Sequence, residues 1–236
     1  MTDAFLSTRP PFGIPDETME SITSNNNVSE LLVGEVVETS LTGYVAQTYR
    51  LDEPPPFGGL VRVKDRAGNY EIYGAVYHIA TGGLDTGRRA APRGNGQPPA
   101  SDEQVYTDNP QLARLLKTEF GVLVLGTSKT GPATDISSQK FAYVFPDYPP
   151  PLHYSVTLCS DQTLINFTRE KAYLRTLIEA AQVPSEELVA AILRRAARAR
   201  AEMGRPFLVD SLRYLARLLK QDYDRFKVIV EKCEVA

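Results

Sequence analysis

The sequence predicts an α+β protein: a small, mostly antiparallel β domain interrupted by one helix, followed by a C-terminal helical module. Three observations carry this. Short segments rich in β-branched and aromatic residues, punctuated by glycine, fill residues 31–79. Pro146, Pro149, Pro150 and Pro151 then break the chain, because proline restricts both its own backbone and that of the residue before it. Beyond them apolar residues recur at helical spacing.

The 236 residues are 42% hydrophobic and 23% charged, which excludes disorder of the whole chain. A chain of this size buries roughly 70–75% of its unfolded surface and needs no staple. Cys159 and Cys233 are the two cysteines, too few for a disulfide framework and suited to a reducing compartment. Met1 to Pro15 is interrupted by three prolines, and no window has the roughly 18 apolar residues of a membrane span. A cytoplasmic location is expected. The net charge of −3 hides an asymmetry: from Arg169 onward there are 14 Lys and Arg against 10 Asp and Glu, and before it 12 against 19. A basic tail fits an acidic or nucleic-acid partner, or attraction between the two halves of one molecule.

Residues 1–30, with Pro10, Pro11, Pro15 and the run Ser24-Asn25-Asn26-Asn27, read as a flexible arm. The β domain is expected over 31–146. Val33, Val36 and Val37 begin it, Thr42 to Tyr49 continue it, and Leu60-Val61-Arg62-Val63 turns at Asp65–Asn69 into the strand Tyr70–Ile79. Thr81 to Pro99 holds too many glycines and prolines for regular structure. Asn109 before Pro110 predicts a helix start, with Leu112, Leu115 and Leu116 on one face. Gly121–Gly126 reads as a buried strand, and Phe141–Phe145 as a further one. A proline-rich junction with a short strand spans 147–160. In the helical module, 161–236, one helix carries Tyr173, Leu174, Leu177 and Ile178, and another opens at Pro184-Ser185-Glu186-Glu187. A third runs from Leu208 to Ile229.

The chemistry-bearing motifs fail on their details. Gly126-Thr127-Ser128-Lys129-Thr130-Gly131 is followed by Pro132 and Ala133, where a phosphate loop needs Lys and then Ser or Thr, so a plain turn is expected. Gly82-Gly83-Leu84-Asp85-Thr86-Gly87 lacks dinucleotide-binding spacing. His78 and His153 have no companion nucleophile motif, and His153 with Cys159 makes no zinc pair. No catalytic, cofactor or metal residue is predicted. The strongest charge cluster is Arg194, Arg195, Arg198 and Arg200. On a helix Arg194 and Arg198 share a face, with Arg195 about 100° round, forming a basic flank; a solvated flank paired with acidic groups is the favoured reading, and a nucleic-acid phosphate or partner contact the alternative. Arg88, Arg89 and Arg93 form a second basic segment.

At Gly34-Glu35-Val36-Val37-Glu38, Tyr44-Val45-Ala46, Pro55-Pro56-Phe57-Gly58-Gly59-Leu60-Val61 and Ile72-Tyr73-Gly74-Ala75-Val76, the chain resembles the HAS-barrel. This is the N-terminal β-barrel of HerA-type DNA translocases and ATP synthase catalytic subunits, and the likeness covers roughly residues 31–127. It resembles in particular the stand-alone bacterial form without the ATPase core. The resemblance implies a small antiparallel barrel, with Gly34, Gly59 and Gly74 in structural positions and no catalytic residue to transfer. In that family the barrel serves ring assembly and, in HerA, docking of the NurA nuclease. The implied role is a non-enzymatic assembly or adaptor module, with self-association or a protein partner; the alternative is a nucleic-acid-binding accessory using the basic helix. Gly74, inside a strand pattern, is expected to permit a bulge or bend.

Overall fold

Alternating burial builds the first wall of the structure. In β2 (Gly43–Thr48), Tyr44, Ala46 and Thr48 are buried and the residues between them part-exposed, the period that puts one strand face against a core. The computed structural model describes residues 30–85, 101–130 and 139–234. With β2 it holds β1 (Leu31–Thr39), β3 (Leu60–Lys64), β4 (Tyr70–Gly83), β5 (Leu116–Lys129), β6 (Phe141–Ala142) and β7 (Ser155–Leu158). The strands form one antiparallel sheet in the order β2-β1-β7-β3-β4-β5-β6. β2 also pairs with β5, with Ala46 opposite Phe120. Six strands therefore close into a barrel, and β6 lies outside the closure.

Val36, Val61, Ile72, Phe120 and Val156 fill the barrel. Register shifts in β1 beside Gly34 and in β4 at Tyr73/Gly74 and Val76/His78 supply the local bends that a small closed sheet needs.

β4 is buried without a break from Glu71 to Val76, and β5 from Phe120 to Ser128. Strands hidden on both faces need a second layer. Helices α3 (Asp161–Phe167), α4 (Tyr173–Glu179), α5 (Ser185–Ala199), α6 (Gly204–Leu218) and α7 (Tyr223–Glu234) supply it. A second core joins Leu60, Tyr73 and Leu125 of the barrel to Phe167, Leu177, Leu188, Leu193 and Leu215 of the helices. Each such side chain contributes about 1.5–3 kcal/mol when fully buried. The approach is closest at Gly58, whose φ is +73 and where an added Cβ would lie 2.8 Å from the Ala191 Cβ on α5. Glycine there satisfies both backbone and packing.

The structure corrects several expected boundaries. Asn109 does not open a helix. It ends α1 (Asp102–Asp108), its backbone N–H and Nδ2 donating to Val105 O at 3.1 and 3.0 Å. α2 (Leu112–Leu115) is only four residues long because Leu116 already pairs with Gly83. Ladder pairing also lengthens the Gly121–Gly126 strand to Leu116–Lys129, so Gly126–Lys129 is strand rather than turn. The Tyr70 strand likewise runs on to Gly83. The Phe141–Phe145 strand shrinks to two residues.

The stripe from Leu208 to Ile229 is two helices. Asp222 breaks it, its Oδ1 accepting from Arg225 N at 3.3 Å at the start of α7. The proline-rich 147–160 segment leads into β7, which sits between β1 and β3, with Gly34 opposite Val156 and Arg62 opposite Thr157. The expected N-terminal arm and most of the glycine-rich Thr81–Pro99 segment lie outside the described residues.

Gly74 gives the sharpest test of the barrel. An added Cβ would lie 2.4 Å from Val122 Cγ1 and 2.6 Å from Leu123 O, and that carbonyl belongs to a ladder that cannot retreat cheaply. Gly74→Val is expected to destabilise the fold by about 1–3 kcal/mol or more despite valine's strand preference. Denaturant unfolding of the purified variant checks this; an unchanged midpoint rejects the close approach as a constraint.

Candidate functional site

The turn between β1 and β2 is set by one side chain. Ser40 Oγ donates to Gly43 O at 2.8 Å and accepts from Gly43 N at 3.2 Å, fixing the turn as a hydroxyl clamp. Between this turn and the α4–α5 connection, residues 180–183, opens a cleft of about 590 Å³. Its wall includes Tyr77 from β4, Leu123 from β5, Phe145 from the segment after β6, and the carboxylates Glu38 and Glu179. Phe145 is 47% exposed, and beside it in the chain Tyr148 is 81% exposed. Leu41, 45% exposed, sits in the Ser40–Thr42 turn. Barrel and helical layer thus contribute to one concave surface with apolar residues around it.

The predicted arginine flank is divided among three roles. Arg194 donates to the carbonyl of Lys232 near the end of α7, where a cation favours the helix dipole. Arg195 is half-buried; desolvation lowers its pKa while nearby Asp161 opposes that shift. Arg198 is exposed.

Arg200, one turn beyond Ala196, ties three helices. It donates to Ala196 O at 2.8 Å, Ile165 O at 2.7 Å and Thr168 Oγ1 at 2.8 Å, and lies 3.9 Å from the Phe207 ring centroid. Arg88, Arg89 and Arg93 lie outside the described residues. Gly34 and Gly59 are both places of close backbone approach, to Gln47 O and Pro56 O respectively.

A second polar cluster lies on the outer barrel wall. Arg62 pairs with Glu30 and Glu71. Tyr73 Oη donates to Glu71 Oε2 at 2.6 Å and accepts from Gln139 Nε2 at 2.9 Å. Cys159 stands near this cluster, and burial pushes its thiol well up, with Arg62 opposing weakly; a protonated thiol is a poor nucleophile. His153 Nδ1 lies 2.7 Å from Glu35 Oε1 on the exposed surface, and His78 is exposed on β4. Among the described residues no group of three or more His, Cys, Asp or Glu is placed to hold a metal ion, and no helix is long and apolar enough to cross a membrane.

No protein-family model matches the chain, and a search of curated proteins found no match. The cleft escaped sequence reading because its walls come from positions near 40, 77, 145 and 180, which no local motif links. The aromatic–proline steps Phe145-Pro146 and Tyr148-Pro149 are a local signal that could have pointed to this surface.

Two outcomes follow from these environments. Burial pushes the Cys233 thiol to about 11 and the Tyr143 phenol to about 12, and raises Tyr44, Tyr73, Tyr173 and Cys159 further. The ordinary values are 9.0 and 10.0, so above about pH 9 the unfolded chain releases protons that the folded chain keeps, and stability falls as pH rises. Urea unfolding at pH 7.5, 9 and 10.5 is expected to show this decline; a flat profile rejects the burial of these groups.

The arginines are expected to separate. Arg194→Ala costs about 1–2 kcal/mol through the lost carbonyl contact, whereas Arg198→Ala stays within about 0.5 kcal/mol. Paired unfolding curves measure the difference, and equal effects would mean that the flank acts as one solvated face.

Proposed function

We propose that this chain is a non-enzymatic assembly or adaptor module that engages a protein partner, or a second copy of itself, across the surface where barrel and helices meet. The carrying observation is the cleft of about 590 Å³ lined by barrel, helical layer and the half-exposed Phe145, with exposed Leu41 and Tyr148 close to lining residues along the chain. Contiguous apolar groups beside a concavity mark an interaction site more often than scattered surface residues do. The division of the α5 arginines ranks the nucleic-acid reading second, since Arg194 is engaged by α7 and Arg195 is half-buried.

The resemblance to the HAS-barrel supports the same reading. Barrels of that family assemble rings and dock a nuclease, which links this chain to a HerA/NurA-like DNA-processing system in a bacterial cytoplasm.

The test is sedimentation velocity of the full chain, alone and with a purified HerA-type translocase or NurA-type nuclease. Association is expected in at least one mixture, and the variant carrying Leu41→Ser, Phe145→Ser and Tyr148→Ser should weaken it by about tenfold or more at unchanged unfolding midpoint. A chain that stays monomeric and binds neither protein overturns the proposal.

A further inference from the structure

Resting on the reading of this cleft as a docking surface, we propose that it takes the cationic side chain of a partner protein: an arginine or lysine carried on an extended segment. Its lining holds two carboxylates, Glu38 and Glu179, and no Lys, Arg or His. Arg175 reaches Glu179 at 3.5 Å, but both side chains are well exposed, so water screens that pair and it holds the carboxylate only weakly. Glu179 is the last residue of α4, the end at which a helix favours positive charge.

The rest of the wall has the same preference. Tyr77 and Phe145 offer aromatic faces, which attract ammonium and guanidinium groups and pack against their methylene stems.

Size fits an organic group rather than a bare ion. A volume of about 590 Å³ is far larger than a metal ion requires and lies within the range of sites that enclose organic groups. Leu41, in the turn between lining residues Ser40 and Thr42, and Tyr148, just after Phe145 in the chain, are exposed apolar side chains. A cationic residue between apolar neighbours matches this arrangement.

The experiment is an NMR titration of the isotopically labelled full chain with capped peptides in which leucines flank a central arginine, lysine or citrulline. Citrulline keeps the shape of arginine and removes its charge. Shifts are expected at the amides of Thr39–Val45 and residues 180–183, with citrulline binding about tenfold or more weaker than arginine. Combining Glu38→Gln with Glu179→Gln should abolish the preference for arginine over citrulline while leaving the unfolding curve unchanged. Absence of shifts at these amides at millimolar peptide, or equal affinity for arginine and citrulline, overturns the proposal. If sedimentation still shows association that depends on Leu41, Phe145 and Tyr148, this inference alone has failed and the assembly reading stands.

Discussion

A strand can hide one face by closing into a barrel, but in β4 and β5 the second face also has to be kept from water. Tyr73 and Leu125 point their side chains outward into the helical core while Ile72 and Val124 fill the barrel. This double burial is the constraint on which the rest of the molecule depends. It explains why α5 is apolar around so much of its circumference, with Leu188, Val189, Ala190, Leu193 and Ala196 all fully hidden. It also explains why Gly58 and Ala191 must be small where loop and helix touch. Removing the helices would leave an apolar wall, not a smaller stable protein.

Charge then fixes where the outer helices lie on α5. Arg225 pairs with Glu186 and also donates to Ile178 O at 2.9 Å and Ser185 Oγ at 2.7 Å, so one side chain joins α4, α5 and α7. Lys232 pairs with Glu187 further along. Desolvation works against the charged form of Glu186, but its hydrogen bonds, led by Arg225, outweigh that and lower its pKa. The helical cover ends at the α4–α5 connection, short of the β1–β2 turn. Tyr77 marks the same limit on β4, where unbroken burial gives way to partial exposure. The cleft is therefore the margin of the cover, with core-type aromatic residues left partly in view.

Much of the architecture was legible because it rests on local signals. β-branched and aromatic enrichment identified β2, alternation identified β3, the Asp65–Asn69 turn identified the hairpin, and the Tyr173-Leu174-Leu177-Ile178 spacing matched the buried face of α4. Boundaries were lost where long-range pairing overrode local chemistry. Asn109-Pro110 carries the signature of a helix start, yet strand pairing at Leu116 leaves room for only the single turn of α2. The continuous stripe through Leu219 and Phe226 hid a break because both halves pack on the same partner helix. The arginines illustrate the site problem: four similar residues in seven positions became a helix-end contact, a half-buried side chain, an exposed charge and a three-helix tie. Only their neighbours, distant in sequence, distinguish them.

The place of β7 in the sheet sets an order of events during synthesis. β1 lies between β2, which follows it almost at once, and β7, which arrives only when Leu158 can meet Leu31. At typical ribosomal rates the interval between these two residues is roughly 6–25 s, long compared with the microseconds in which a hairpin forms. Throughout that interval one edge of β1 is an unpaired backbone template, of the kind that invites pairing with neighbouring chains. The ring is sealed by a short strand late in the sequence, delivered behind a run of prolines whose restricted backbone reduces the entropy lost when that strand docks.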